Sequence, residues 1–411
     1  MKKIAIIGGG ISGLSVLHYL KQRLGDTVEI TLYEREAVTG GTIRSFKDNS
    51  CLFEWGPNGF LDNQPATLEL IEELGLTDQL IEASPNAKRR YIQRNNKLIP
   101  LPAGPIDFIC SPLLPAKDKW ALIKGVFKKN ISSDQSIYNY VSQRFSQGIA
   151  ENLVDPFISG IYAGDIKRLH MASAFPKLKY KGFRKTRMRS FKNGMGQIIE
   201  TLEKRYRNNI QTNSEISTNI TADINIIATP AYCAAQITEN INPELAKLLD
   251  QIHYAPVTVA GLIFNKKTFK IQPDGFGYLV PSKENKTILG VLIESNVYEN
   301  RAGEETMMMR VMMGGSHHPA IINDDENEII KKAVKEIDSI YGLAAAPLQT
   351  FVKRWPKAIP QYHNKYPRWK QSIIQLCRKT PGLFLHANYL NGISFNDCVS
   401  HSKNLAARLI V

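Results

Sequence analysis

The chain has 411 residues, 43% of them hydrophobic, and a formal net charge of +14, a composition typical of a globular protein large enough for two lobes. It contains no run of about 20 uncharged apolar residues, so we expect no spanning helix, and glycines interrupt the N-terminal apolar run, which argues against a secretion signal. Five dispersed cysteines without metal-ligand spacing favour a reducing cytosol and argue against a metal site.

The first residues predict a strand, a glycine turn and a helix. Ile4 to Ile7 read as a buried parallel strand, Ser12 to Leu24 as a helix, and the turn between them has the pattern Gly8-x-Gly10-x-x-Gly13. The first glycine of such a turn allows a sharp bend, the second a close approach of backbone to a pyrophosphate, and the third close packing of helix on strand. The helix amides then point at the anion, although the motif alone also fits a turn that binds nothing.

The second predicted strand, in "TVEITLYER", supplies an acidic residue. It ends at Glu34, where a carboxylate can accept a hydrogen bond from a ribose 2′-hydroxyl and disfavours a 2′-phosphate. The ligand is therefore FAD or NAD rather than NADP. Gly40, Gly41 and Arg44 follow, and this second close approach of backbone to ligand resembles flavoproteins in which FAD lies extended through the N-terminal domain.

Further along the chain the pattern is discontinuous. Residues 66 to 165 are predicted to be mostly helical, with a proline-broken apolar loop over Leu98 to Pro115. A buried strand is predicted over Ile224 to Ala228, and an antiparallel section includes Gly275 to Val280 and Met307 to Met313. The chain ends in another strand, glycine turn and helix, so we expect a nucleotide-binding lobe built from three separated pieces.

Much of the positive charge is local. The segment Lys177 to Lys192 has eight lysines or arginines in sixteen residues and no acid. Runs of charged residues are usually solvated, so the segment fits a solvated loop. Its interleaved Tyr180, Phe183 and Phe191 also fit contact with an anionic membrane. It matches no nucleic-acid-binding module, so nucleic acid is not an expected partner.

Several segments together resemble one family. They are "FEWGPNGFLDNQPATLELIEELGL", "VDPFISGIYAGDIKRLHMASAFPKL", "SFKNGMGQIIETL", "GFGYLVP", "WPKAIPQY" and "FLHANYLNGISFNDC". In this order they resemble the FAD-dependent protoporphyrinogen and coproporphyrinogen oxidases of haem biosynthesis, and the match runs from Lys3 to the C-terminal helix. The resemblance implies an α/β flavoprotein fold like that of the monoamine oxidases, with a Rossmann-type FAD-binding domain, a mixed-sheet substrate domain and a helical membrane-facing region.

On this resemblance the chain divides into three regions. The FAD-binding domain is expected to comprise 1–85, 190–230 and 365–411, the helical substrate- and membrane-facing region 86–189, and the mixed β-sheet substrate domain 231–364. The chain is shorter than is typical of the family, and the missing length lies mainly after Leu178. Ala387-Asn388 also stands where the family usually has a Gly-Asn pair.

The resemblance assigns the cofactor contacts residue by residue. FAD is the implied cofactor, and no metal is implied. The matching positions are Gly8, Gly9, Gly10, Ile11, Ser12, Gly13, Glu34, Arg35, Gly41, Thr42, Gly56, Pro57, Asn58, Gly59, Ile216, Ile393, Ser394 and Phe395. The last three precede or begin the final helix, whose N-terminus can stabilise negative charge on a reduced flavin.

The resemblance also assigns two substrate contacts. Arg90 matches an arginine expected to bind a propionate, with Arg89 as the neighbouring alternative, and Gly160 matches a glycine whose backbone faces the tetrapyrrole. Trp355 and Tyr362, on either side of "IPQ", fit either the wall of a cavity or plain core.

The implied reaction is an oxygen-dependent, six-electron oxidation of a porphyrinogen to a porphyrin. The flavin carries the redox chemistry and the protein orients the macrocycle, so no catalytic acid or base is named. Porphyrinogen and dioxygen are the expected reactants, and the sequence does not separate protoporphyrinogen from coproporphyrinogen. Alternatives are another flavin amine oxidase or desaturase, and a non-catalytic flavin- or tetrapyrrole-binding protein.

The expected location is the cytoplasm, with peripheral attachment to the inner face of the membrane through the basic run and the apolar loop. Both a monomer and a homodimer are compatible with the sequence.

Overall fold

The computed structural model describes residues 1–48, 50–128, 131–175, 186–216 and 222–409, apart from the side chains of Pro105 and Asn391. The strands are β1 Lys3–Ile7, β2 Glu29–Tyr33, β3 Ser45–Lys47, β4 Leu52–Glu54, β5 Phe60–Leu61, β6 Leu80–Glu82, β7 Arg90–Arg94, β8 Lys97–Pro100, β9 Met188–Phe191, β10 Ile210–Gln211, β11 Ile224–Ile227, β12 Tyr254–Asn265, β13 Gly277–Leu279, β14 Ile288–Ile293, β15 Thr306–Gly314, β16 Gln349–Pro360 and β17 Leu383–Leu385.

The helices lie mostly in the first half of the chain and near its end. They are α1 Ile11–Leu24, α2 Pro65–Glu73, α3 Pro105–Cys110, α4 Ala116–Phe127, α5 Ile137–Arg144, α6 Gln147–Ile149, α7 Asp155–Tyr162, α8 Met171–Ala174, α9 Gly196–Arg205, α10 Ala231–Thr238, α11 Pro243–Asp250, α12 Glu294–Val297, α13 Glu326–Tyr341, α14 Tyr366–Arg378, α15 Asn388–Asn391 and α16 Phe395–Arg408. None of those described is long and apolar enough to cross a membrane.

A five-stranded parallel sheet forms the nucleotide-binding lobe. Its strand order is β10-β2-β1-β11-β17, so segments from the start, middle and end of the chain lie side by side. The strands are short and β-branched, and α1 and α16 pack on them through one apolar core that includes Ile6, Leu17 and Val399. This sheet therefore draws its strands from three separate parts of the chain.

A seven-stranded mixed sheet forms the second lobe. Its order is β16-β12-β15-β14-β13-β7-β8, and only the β13–β7 pair is parallel. Helix α13 covers one face, where Met307, Met309 and Met313 of β15 pack against Ile329 and Ile337. The opposite face looks toward the nucleotide-binding lobe and α7. The prediction of a Rossmann-type domain with a mixed-sheet substrate domain is confirmed.

The prediction of helix is wrong for residues 80–82 and 90–97, which lie on either side of a short 3-10 helix at Pro85–Lys88. This segment forms β6, β7 and β8, and the last two extend the mixed sheet. The physical cause is the Asn95-Asn96 pair, whose φ angles of 49° and 55° make a tight hairpin between β7 and β8. Asparagine is one of the few residues that adopts such angles readily. The region 86–189, expected to be helical, therefore contributes two strands to the substrate sheet.

The described residues between 116 and 165 are predominantly helical, as predicted, whereas α3 lies within the segment predicted to be a proline-broken loop. Helices α3 to α8 share one core that includes Ile137, Ile158, Tyr162 and Leu169. A π-helical turn at Ala150–Val154 joins α6 to α7.

The basic run lies largely outside the described residues, which resume at 186. Met188–Phe191 is strand β9, between β5 and β6. Arg187 pairs with Glu82 at 2.7 Å, and Arg189 pairs with Asp62 at 3.2 Å and with Glu82 at 3.0 Å. This end of the run is therefore part of a small sheet, with its guanidinium groups paired to acids, rather than a solvated loop.

Candidate functional site

Two predicted glycine turns meet at the carboxyl edge of the parallel sheet. A Cβ added to Gly13 would lie 2.0 Å from the carbonyl oxygen of Gly8, so only glycine lets α1 pack this closely on β1. The amide of Gly40 donates to the carbonyl of Gly9 at 2.8 Å, and Gly10 forms a bridge with Gly40. The two turns that the sequence predicts to touch the ligand are thus in direct contact.

The space beside this contact fits a pyrophosphate. A Cβ on Gly10 would meet no atom within 4 Å, and Gly41 and Thr42 are exposed. Helix α1 begins here without a side-chain cap, so its first amides are available to an anion. The backbone approach and the free helix N-terminus together match what a dinucleotide requires.

Glu34 lies beside the glycine turn, one residue past β2. Its Oε2 accepts the Gly9 amide at 2.7 Å, and its Oε1 accepts the Glu36 amide at 2.9 Å. The carboxylate is therefore fixed at the end of the strand where a ribose would lie. The carbonyl of Glu34 accepts the amide of Ser214, which leads to Ile216 at the same edge. Arg35 lies outside, paired with Glu36 at 3.3 Å.

The turn Gly56–Gly59 packs on the second glycine turn. A Cβ on Gly56 would lie 2.0 Å from the carbonyl oxygen of Thr42, so the two turns are in contact. The next two residues of the turn are Pro57, half-buried, and Asn58, which is buried and whose Nδ2 has no partner among the described residues. Such a donor can serve a ligand at this place.

Arg310 holds this turn from the substrate sheet. Its Nη1 donates to the carbonyls of Glu54 and Gly56, at 3.1 and 2.6 Å, and its Nε lies 3.1 Å from Glu294. The side chains of Arg310 and Glu294 are 7% and 0% exposed. This role of Arg310 was not predicted from the sequence. A single arginine inside the apolar run "TMMMRVMM" was the feature that could have indicated it.

A second buried acid lies at the base of the turn. Glu54 accepts the Met195 amide and the Ser45 hydroxyl, both at 2.7 Å, and lies 3.5 Å from Arg301. Burial raises the pKa of Glu54, and Arg301 opposes that shift. The cluster fastens the start of the turn to β9 through the Ser190 hydroxyl, which accepts from Arg301.

The start of α16 lies between the apolar core of the nucleotide-binding lobe and that of the helical region. Ser394 caps the helix by accepting the Asp397 amide at 3.1 Å, and its hydroxyl donates to Asp397 Oδ2. Ile393 packs on the helical core, and Phe395 packs on Phe60 with ring centres 5.3 Å apart. Ile393 and Phe395 thus have packing partners, as core residues would.

The structure separates the two candidate arginines. Arg89 forms an ion pair with Asp274 at 3.0 Å. Arg90 is exposed, and its guanidinium lies 4.8 Å from the ring centre of Phe276. Because neighbouring residues of a strand face opposite sides, Arg89 and Arg90 cannot share one ligand face. Among the residues that the structure describes, no acid pairs with the guanidinium of Arg90.

One row of paired residues crosses the mixed sheet. Arg310 is paired with Leu292, Leu292 with Gly277, and Gly277 with Arg90. Register partners share a face, and three strand spacings of about 4.8 Å place the two arginines roughly 14 Å apart. One end of the row thus holds the turn Gly56–Gly59, and the other carries the unengaged guanidinium.

Gly160 lies above the same face of the sheet. A Cβ on Gly160 would lie 2.7 Å from Leu279, which is paired with Ile92. Trp355 donates from Nε1 to the carbonyl of Trp55 at 3.1 Å, next to the turn Gly56–Gly59. Tyr362 is buried, in agreement with the core alternative.

The parallel sheet and its glycine turns define a dinucleotide-binding protein, with a second lobe that covers the ligand edge. Comparison with known families makes this specific. The chain belongs to the family "Flavin containing amine oxidoreductase", which matches residues 11–410. It is therefore a flavin-dependent oxidoreductase, and the predicted flavin cofactor is confirmed.

Curated relatives align along the whole chain. A coproporphyrinogen III oxidase of Bacillus subtilis is 24% identical, with 98% of this chain and 96% of the relative covered. A mitochondrial protoporphyrinogen oxidase of Nicotiana tabacum is 27% identical, with 100% and 95% covered. A crystal structure from Exiguobacterium, provisionally assigned as a protoporphyrinogen oxidase, has a TM-score of 0.85 at 20% identity, covering 99% and 98%. The resemblance to this family is confirmed.

Proposed function

We propose that this chain oxidises a porphyrinogen, either protoporphyrinogen or coproporphyrinogen, to the corresponding porphyrin in haem biosynthesis. The observation that carries the proposal is the row from Arg310 to Arg90, because it connects the turn Gly56–Gly59, a proposed flavin contact, with a guanidinium that can bind a propionate. The names of the full-length relatives support the same substrate class.

The substrate would lie at the Arg90 end of this row. Arg90 binds a propionate, since a guanidinium stacked on Phe276 keeps its donors free for a carboxylate. Leu279 and Gly160 of α7 lie in contact with each other, and together they would give an apolar border against the edge of the macrocycle. These contacts orient the macrocycle with one bridge carbon toward the turn Gly56–Gly59.

The flavin is proposed to lie along the meeting glycine turns. The proposed contacts are Gly8, Gly9, Gly10, Ile11, Ser12, Gly13, Glu34, Arg35, Gly41, Thr42, Gly56, Pro57, Asn58, Gly59, Ile216, Ile393, Ser394 and Phe395. A bound flavin would supply the hydride acceptor for three two-electron oxidations, with dioxygen as final acceptor, and the six hydrogens removed would come from the four bridge carbons and two of the pyrrole nitrogens. We assign no side chain as general base, because the protons released can pass to water.

Oxygen uptake by the purified flavoprotein with each porphyrinogen tests the proposal. Uptake coupled to the appearance of porphyrin fluorescence is expected, and the ratio of the two kcat/KM values decides between the two substrates. Turnover of an amine or carotenoid instead would make the chain another member of the family. Flavin binding without oxygen uptake would make it a binding protein.

We further propose that the protein is cytoplasmic and contacts membrane through α3 and α4. The free state of all five cysteines supports a reducing compartment. Apolar side chains project from both helices: Ile106, Ile109, Trp120, Ile123, Val126 and Phe127, each at least 51% exposed. Exposed Lys117 and Lys124 lie on the same helix α4, and apolar side chains with lysines at the rim favour an anionic lipid surface.

A further inference from the structure

Two adjacent side chains just after β16 hydrogen-bond to different parts of the site. Gln361 and Tyr362 are 0% and 2% exposed. They belong to the segment "IPQY", which has no part in the binding of flavin or substrate described above. Each of them reaches the backbone of a different helix.

Gln361 holds the end of α7. Its Nε2 donates to the carbonyl of Tyr162, the last residue of α7, at 2.8 Å. The same nitrogen donates to the carbonyl of Ile359 at 3.0 Å, and the main-chain amide of Gln361 donates to the main-chain carbonyl of His253 at 2.8 Å. The backbone and the side chain of Gln361 are therefore both held by the residues next to it at the end of the sheet. In consequence, α7, which carries Gly160, has a set height above the sheet.

Tyr362 holds the turn before α16. Its hydroxyl accepts the Gly392 amide at 3.0 Å and donates to the carbonyl of Asn388. Gly392 has a φ of 114°, and a Cβ there would lie 2.5 Å from Asp397 Oδ2, so only glycine suits this turn. The next residues are Ile393 and Ser394, which begin the proposed flavin contact.

Aromatic rings lie between the hydrogen bonds of Gln361 and those of Tyr362. The rings of Tyr162 and Tyr362 meet edge to face at 6.0 Å, and those of Tyr362 and Tyr366 stack at 4.3 Å. All three side chains lie in the core of the helical region. A buried aromatic cluster has little rotamer freedom, so each of the two hydrogen-bonding side chains is held in a fixed place.

We propose that Gln361 and Tyr362 are positioning residues that set α7, beside the substrate, against the turn 388–392, beside the flavin. The inference rests on the proposed function, because that function places substrate against α7 and flavin beside Ile393. It assigns separate effects to the two neighbours. Gln361 sets the substrate geometry, and Tyr362 sets the flavin geometry.

The test compares two conservative variants of the holoenzyme. Tyr362→Phe should weaken FAD binding roughly fivefold, the worth of one hydrogen bond, and shift the visible absorption bands of the bound flavin, with KM unchanged. Gln361→Met should raise the porphyrinogen KM about tenfold and leave the flavin spectrum and affinity unchanged.

Tyr206→Phe is the matched control. Its hydroxyl also hydrogen-bonds in a core, to His18 at 2.9 Å, but in the nucleotide-binding lobe away from the turn. It should lower the melting temperature and leave both KM and the flavin spectrum unchanged. If Tyr362→Phe and Gln361→Met behave in the same way as this control, both residues are packing residues and the proposal is overturned.

Hydrogen exchange on the unaltered holoenzyme gives a readout that does not depend on the variants. The Gly392 amide should exchange slowly, because it donates a hydrogen bond to a buried hydroxyl. Exchange at the rate of an open loop would refute the proposal. The flavin and exchange measurements need no porphyrinogen. If the unaltered protein oxidises neither porphyrinogen, the proposed substrate fails, while these measurements still decide the role of Tyr362.

Discussion

The Gly9 amide and the Glu34 carboxylate are joined by a hydrogen bond of 2.7 Å, which ties the glycine turn to the end of the second strand. The same carboxylate oxygen would lie 2.9 Å from a Cβ at Gly9, so a side chain there would displace the carboxylate from this position. One acid therefore shapes the turn and offers a carboxylate to the ribose of a bound dinucleotide.

Glu34→Gln should weaken FAD binding by roughly ten- to hundredfold. A hydrogen bond to a charged group contributes about 1.5–3 kcal/mol, and the amide keeps the shape of the side chain while it removes the charge. Titration of the apoprotein with FAD, followed by quenching of flavin fluorescence, measures the change. Glu36→Gln is the control, because Glu36 is exposed and pairs with Arg35. Equal weakening in both variants would remove Glu34 from the binding site.

Arg90→Ala should raise the porphyrinogen KM with little change in kcat. Loss of one charge-assisted contact to a propionate costs about 1.5–3 kcal/mol, or roughly ten- to hundredfold in KM. Arg89→Ala is the matched control, since Arg89 is engaged by Asp274. Steady-state kinetics with either porphyrinogen decides between them, and a larger effect for Arg89→Ala would assign the propionate to that residue instead. The flavin spectrum should be unchanged in both.

The nucleotide-binding lobe could be predicted because its signals are local. The glycine spacing after Ile7 and the acid at Glu34 each lie within one strand–turn–helix unit, and the structure places them as expected. The three-piece sheet followed from the repeat of the same strand–turn–helix pattern near the C-terminus.

The remaining features depend on contacts between distant residues. Arg89 and Arg90 are equivalent in sequence, and the difference between them comes from Asp274, 185 residues from Arg89. The bond from Arg310 to Gly56 spans 254 residues. The hairpin over 90–100 had a local signal, the pair Asn95-Asn96, which indicates a tight turn and has no counterpart in a pattern of helical periodicity.

Arg310→Met should lower the free energy of unfolding by about 3–5 kcal/mol. Its removal leaves Glu294 as an unpaired buried charge, and breaking one side of such a pair is costly. The double variant Arg310→Met/Glu294→Leu should recover much of this loss, because two apolar side chains fill the space without a charge. Urea unfolding of the three variants and the wild type gives the double-mutant cycle. Additive losses would show that the two side chains are not coupled.

His386 should make the protein less stable as the pH falls below about 6.5. Burial, reinforced by nearby His401, lowers the pKa of His386 to about 4 in the folded chain. In the unfolded chain the pKa of this histidine is about 6.5. Between about pH 6.5 and pH 4 the unfolded chain therefore binds a proton that the folded chain does not. The stability contributed by the neutral ring is therefore complete above pH 6.5 and is lost toward pH 4, by about 3 kcal/mol.

His386→Gln isolates that contribution. Glutamine can still donate to the Ser402 hydroxyl, which lies 2.8 Å from Nε2 of the histidine, but it does not titrate. Urea unfolding between pH 4.5 and 7.5 should give a shallower fall in stability for the variant. Some slope will remain, since burial also lowers the pKa of His363 to about 4. Parallel curves for wild type and variant would contradict the assignment.

Membrane contact should depend on α4 rather than on the basic run. Trp120 and Phe127 are 62% and 77% exposed, and transfer of such side chains into a lipid interface gains on the order of 1.5–3 kcal/mol each. Trp120→Ser/Phe127→Ser should therefore reduce co-sedimentation with anionic vesicles at least tenfold. Leu348→Ser is the control, as Leu348 is 64% exposed but lies outside α3 and α4.

Salt separates the two contributions to this binding. Each lysine near an anionic surface adds about 1 kcal/mol, which physiological salt screens over roughly 8 Å, whereas the apolar term is insensitive to salt. Wild-type binding should therefore weaken but persist as salt is raised. Neutralising Arg187 and Arg189 should matter little, because both are paired with acids. Binding that is lost in that variant and kept in Trp120→Ser/Phe127→Ser would move the contact to the basic run.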